Sequence, residues 1–234
     1  MRFWEIDFAR GIAVILMLIF HLFFDAYYFG KFPLEGIFWY IFPRFIGGMF
    51  IFISGFTFSI AYRRLKRSFF ERILKLLLVA SGITLATYLF APERVVVFGI
   101  IHFFALASIL GILFIGKPFL SLSVGILSLF ANLYVSEFRT KEPYLLWLGI
   151  MPSGFQTLDY YPMIPWFGVF LIGMFFGHYY SKRPSIYKEN PISFLGRHSL
   201  AIYLIQHPVI VLILHLYYGD IVERLFIGSH FISN

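Results

Sequence analysis

Residues 9–30 read ARGIAVILMLIFHLFFDAYYFG. Apart from Arg10, His21 and Asp25 the run is apolar or aromatic, and it exceeds the roughly 20 helical residues that cross about 30 Å of bilayer hydrocarbon. Ionisable groups inside such a span are costly to hold away from water, so they point to function. The apolar run decides the fold, and its three exceptions raise the question of chemistry.

The rest of the chain repeats the pattern. Of its 234 residues 60% are hydrophobic and only 13% charged, with a mean hydropathy of +0.82, more apolar surface than a water-soluble domain can hide. The expected fold is all-α, a polytopic transmembrane bundle of about seven spans near 8–29, 37–62, 71–91, 96–115, 118–136, 162–180 and 192–218. No linker, composition break or convincing repeat divides it, so residues 1–234 read as a single domain. With no cysteine, disulfides, thiol nucleophiles and cysteine metal sites are excluded. The first run is too long for a cleavable signal peptide, and acidic residues precede it. The net charge of +7 reads as the bias of cytoplasmic loops towards Lys and Arg, not as a nucleic-acid surface.

That bias sets the orientation. Arg63, Arg64, Lys66, Arg67, Arg72 and Lys75 join the second and third runs and belong in the cytoplasm, which puts the N-terminus inside as well. About thirteen Lys and Arg then fall inside and about five outside. A half-helix near 144–151, in the one long loop, would leave this parity unchanged.

Arg10 then sits at the cytoplasmic edge, and His21 lies ~16 Å further along the helix, near mid-bilayer. Asp25 follows on the same face. A carboxylate one turn from an imidazole fixes its tautomer and supports the imidazolium, the arrangement of a general base with an orienting acid. Pairing of Asp25 with Arg44 on the second run competes. The last run has a similar layout: Arg197 and His198 at the inner end, Gln206 and His207 about ten residues deeper, then Pro208, which loosens the backbone there. His102 falls at the depth of Asp25. Asp159 and Trp166 stand at the outer rim, where Trp is also common for its own sake. Asp7 is placed to cap the first helix or to pair with Arg10, and small residues in FISGFTFSI and GITLATYL suit helix packing.

No Walker, dinucleotide-binding, HExxH or nucleophile-elbow motif is present. The chemistry that fits is proton abstraction from an alcohol or amine attacking an activated acyl group. Arg10 and Arg197 at the inner rim suit the phosphates of an acyl donor. The stretches RFWEIDFARGIAVILMLIFHLFFD, FIFISGFTFSI, VFGIIHFFALASIL, DYYPMIPWFGVFLIGMFFG and FLGRHSLAIYLIQHPVI resemble, in this order, the catalytic-domain family of heparan-α-glucosaminide N-acetyltransferase. The resemblance implies a multi-pass cell-membrane acyltransferase moving acetyl, or another acyl group, from cytoplasmic acetyl-CoA to an extracytoplasmic sugar or glycan, without a metal. It implies His21 as a catalytic candidate, general base or acyl acceptor, and Arg10 as a motif residue on the donor side; by their own places on the helices Asp25 and His207 join the catalytic set. By their depth along the helices Arg10, Arg197 and His198 are read on the donor side, and His102, Arg44, Asp159 and Trp166 on the acceptor side. Two departures stand out. The animal enzymes place asparagine at the position of His21 and their catalytic histidine in the following loop, whereas this chain has no histidine between His21 and His102. Relatives read His-Gln-Pro where this chain reads Gln206-His207-Pro208, an offset of about 100° around the helix.

Two other functions compete. A small transporter for a polar solute or protons would be lined by His21, Asp25, His102 and His207 and give flux without CoA. A non-catalytic subunit would tolerate replacement of His21, Arg10 and Arg197. Membrane lipid is the surrounding partner, and the Phe-rich faces also suit a homodimer.

Overall fold

Inside lipid a helix satisfies its own backbone groups, and the apolar runs accordingly form helices. The computed structural model describes residues 3–62, 66–180 and 190–221. Its helices are α1 (Trp4–Tyr28), α2 (Ile37–Tyr62), α3 (Lys66–Phe90), α4 (Ile100–Gly111), α5 (Pro118–Val135), α6 (Met163–Tyr179), α7 (Pro191–Arg197) and α8 (Ser199–Tyr218). α1, α2, α3, α5 and α8 are long and apolar enough to cross a membrane; α4 with its short extension to Phe114, and α6, are shorter apolar helices.

Two expectations about boundaries change. The run at 192–218 is two helices, because His198 leaves helical geometry (φ −103°, ψ 16°). Asn190 starts α7 by accepting from the Ser193 amide at 2.8 Å, with Pro191 at the first helical position. The half-helix near 144–151 is instead a single tight turn at Pro143–Leu145, followed by a two-residue strand, Met151–Pro152, paired in parallel with Arg139–Thr140.

The chain divides into two compact units, Met1–Phe50 with Lys182–Asn234, and Ile51–Ser181. In the first, α7 lies against the start of α1 with no side chain between the backbones. The hydrogen of Gly11 faces the Ile192 carbonyl, and that of Gly196 faces the Asp7 carbonyl. α8 runs parallel to α1: Ile202 and Tyr203 pack on Val14 and Met17, while Ile210 and Leu214 pack with Ala26 and Phe29. Beyond the helix ends, Lys31 pairs with Asp220 at 2.7 Å.

In the second unit, α6 is the central element. Gly55 on α2 meets the Phe170 carbonyl, Gly173 meets the Phe52 carbonyl and Gly177 the Phe56 carbonyl, while Gly125 and Gly168 bring α5 and α6 together. Small residues at such spacings let helices touch where no hydrophobic effect drives them together. Phe58, Phe103 and Phe170 fill the interior. Of the two stretches read as packing motifs, FISGFTFSI serves through Gly55, whereas Gly82 in GITLATYL has open space around it. Along α3, Leu74, Leu78, Leu85 and Leu89 are exposed, as a lipid-facing surface requires.

Candidate functional site

The first unit gathers most of the candidate residues. Side chains on a helix lean towards its N-terminus. The ring of His21 therefore drops onto the carbonyl of Met17, one turn back, with Nδ1 at 2.9 Å. Asp25, one turn beyond, leans to the same height, and there α8 delivers His207. Nδ1 of His207 lies 3.0 Å from both carboxylate oxygens of Asp25, and the two imidazoles meet edge to face with centroids 4.7 Å apart. The expected bond between Asp25 and His21 does not form, because the Met17 carbonyl takes His21 and the carboxylate takes His207. The alternative partner, Arg44, donates instead to the Tyr40 carbonyl at 2.7 Å, its guanidinium over the Tyr40 ring. The offset of His207 does not turn it away from the cluster.

Hydrogen-bond chemistry fixes the protonation pattern. A carbonyl only accepts, so Nδ1 of His21 donates; a carboxylate only accepts, so Nδ1 of His207 donates. In the neutral rings each Nε2 then carries a lone pair. Asp25 is 6% exposed and the His207 side chain 46%, which pairs a sheltered carboxylate with an accessible imidazole. Phe20 and Phe24 stand edge-on to His21.

At the N-terminal end of α1, Arg10 precedes Gly11 and Arg197 follows Gly196, so both arginines adjoin the glycines of the α1–α7 contact. Arg10 pairs with the buried Asp7 at 3.3 Å, so Asp7 holds the arginine and helix α1 starts at Phe3 without a side-chain cap. Arg197 lies over Phe194, and His198 donates from Nδ1 to the Phe194 carbonyl at 2.9 Å. Arg63 and Arg64 lie outside the described residues.

The second unit holds His102, Asp159 and Trp166, and there the side chains serve the start of α4. The Gly99 amide donates to Nδ1 of His102 at 3.3 Å. Nε2 therefore carries the hydrogen and donates to Thr84 Oγ1 at 3.0 Å, and Thr84 donates to the Val96 carbonyl at 2.8 Å. Asp159 accepts from the Ile100 amide at 2.8 Å and fills the place a side chain at position 99 would take. Both residues thus satisfy amides that a helix start leaves unmet. Trp166 packs on Tyr161. Nearby, Tyr160 donates to the Leu146 carbonyl at 2.8 Å; burial pushes its hydroxyl up to about 12, against a smaller opposing pull from Arg139.

Sequence reasoning did not foresee the Met17 carbonyl or Thr84 as histidine partners. A polar side chain within reach of a histidine, such as Thr84, leaves no signal when it lies on another helix. No curated protein and no solved structure matches the chain. A family model does match, over residues 2–208, from α1 through Pro208 beside the histidine pair, and the chain belongs to the family it describes, heparan-alpha-glucosaminide N-acetyltransferase, catalytic.

Proposed function

We propose that this membrane protein transfers an acyl group, acetyl in the simplest case, from cytoplasmic acyl-CoA to a hydroxyl or amine of an extracytoplasmic sugar or glycan. The family supports acyl transfer in general. The observation that carries the finer reading is the cluster of Asp25, His207 and His21, two imidazoles whose Nε2 atoms are both left as bases.

The roles divide by partner. His21 has only a carbonyl behind it and sits among phenyl rings; its Nε2 takes the acyl group as nucleophile. His207 has a carboxylate behind it, which accepts from Nδ1–H and leaves Nε2 outward; its Nε2 removes the proton from the acceptor. Arg10 and Arg197 hold the diphosphate of the donor at the inner end, with His198 beside them. Arg44, on the same unit, is assigned to the acceptor side; in the other unit His102 and Asp159 support the start of α4.

The test is acyl transfer by the purified protein. Radiolabelled acetyl-CoA, supplied without acceptor, is expected to release CoA once per chain and leave label on the protein. His21→Ala abolishes the label, and Arg10→Ala and Arg197→Ala each weaken acetyl-CoA binding about tenfold, as expected for loss of one charge-assisted phosphate contact. Absence of acetyl-CoA binding to folded wild-type protein sinks the reading.

A further inference from the structure

Gln206 is 2% exposed, and neither Oε1 nor Nε2 has a hydrogen-bond partner among the described residues. A carboxamide offers two donors and an acceptor, and burying them unmet is costly, the more so in a membrane interior. Its position is fixed by its neighbours. Gln206, Ile210 and Leu214 are the buried positions of α8, four residues apart and hence on one face. One turn below, Ile202 and Tyr203 pack at Val14 and Met17; one turn above, Ile210 packs with Ala26. Gln206 therefore faces α1 between those levels, at the height of His21, and the next residue on α8 is His207.

We propose that the Gln206 carboxamide receives the acyl carbonyl, its Nε2–H donating to the oxygen that becomes the oxyanion. This rests on the acyl-transfer reading above. When Nε2 of His21 attacks the thioester, the C–N bond forms and the carbonyl electron pair moves onto oxygen, where Gln206 meets it. The pair returns as the C–S bond breaks and CoA leaves as thiolate. In the second step the acceptor oxygen attacks the acyl-imidazole while its proton passes to Nε2 of His207. Charge gathers on the same oxygen, the C–N bond breaks and His21 is restored as the neutral ring; Nε2 of His207 gives its proton to solvent, from which the CoA thiolate released in the first step has taken one. A donor already in place and already desolvated is the condition under which such a hydrogen bond counts most.

The experiment replaces the amide by an apolar side chain of similar shape, Gln206→Met. Expected are a fall in kcat of about 10²–10³-fold, acetyl-CoA affinity within about twofold of wild type, and no loss of thermal stability, since removing an unmet buried amide is neutral or stabilising. With acetyl-CoA isotope-labelled at the carbonyl, the bound acetyl band in the infrared lies at lower frequency in wild type than in the variant. Wild-type turnover, or an unchanged band, overturns the proposal, and so does lost stability with turnover intact. If the methionine variant does not fold, Gln206→Asn, which withdraws the amide by one methylene, is read by the same band and the same rates. Wild-type protein that neither binds nor turns over acetyl-CoA defeats the acyl-transfer reading itself. Wild-type transfer with an indifferent Gln206→Met defeats only the role of Gln206.

Discussion

Asp25 and His207 are 182 positions apart in sequence and 3.0 Å apart in the fold, and the consequence of that bond is testable at the single residue. Asparagine at position 25 keeps the shape of aspartate but replaces the two oxygens that accept from Nδ1 of His207 with a single amide oxygen and an N–H, so the ring loses its charged orienting partner. A comparable loss of an orienting carboxylate costs up to about 10⁴-fold in rate. For Asp25→Asn we expect acetyl transfer to fall by about 10²–10⁴-fold with acetyl-CoA binding unchanged. On the roles proposed above His207 serves only the second step, so label from acetyl-CoA should still appear on the protein and then persist when acceptor is added. Rapid-quench measurement of bound label decides it: discharge at the wild-type rate removes His207 as the base. The residues of this site were visible in the sequence as polar exceptions in apolar helices. Their pairing was not. Spacing of four put Asp25 with His21, but spacing says nothing of a neighbouring helix, and α8 brought a stronger partner. The same limit applies to His102, whose Thr84 partner also lies on another helix.

Among the helices, the tightest constraint lies where α7 crosses α1. Gly196 has the Asp7 carbonyl and the Gly11 amide where a Cβ would go, and Gly11 has the Ile192 carbonyl. Backbone cannot yield as the tip of a side chain does, so Gly196→Leu must push α7 away. Overpacking alone costs roughly 1–3 kcal/mol, and displacement of α7 also moves Arg197 away from Arg10. We expect a thermal unfolding temperature in detergent several degrees lower and weakened acetyl-CoA binding. Gly82 on α3 supplies the control, since nothing lies within 4 Å of its added Cβ. Gly82→Ala should be neutral or stabilising by about 0.5–1 kcal/mol, the usual gain for alanine in a helix. Equal destabilisation by both changes contradicts the packing account. The helices were largely legible from apolar run length. The break at His198 was not, because the apolar run continues on its far side and Arg197 and His198 resemble an ordinary polar start. Asn190 before Pro191 did carry the start signal.

For the molecule as a whole, function depends on which end of the site meets the cytoplasm. The polar groups of the first unit are ordered along α1: Arg10 in the second turn, His21 and Asp25 beyond it, and Lys31 past the end with Asp220. In the proposed mechanism the cytoplasmic acyl-CoA reaches the Arg10 end, so the charge bias of the loops is a functional claim as well as a topological one. The chain has no cysteine, so a single introduced thiol reports its side without background. Lys117 and Lys141 are both exposed and bracket α5 (Pro118–Val135). With the N-terminus inside, Lys141→Cys should react with a membrane-impermeant maleimide in intact cells, and Lys117→Cys only after the membrane is opened. Labelling of both from one side means that α5 does not cross. The reverse pattern places the Arg10 end outside, where no acyl-CoA is available, and removes the cytoplasmic donor from the mechanism however well the two imidazoles are placed.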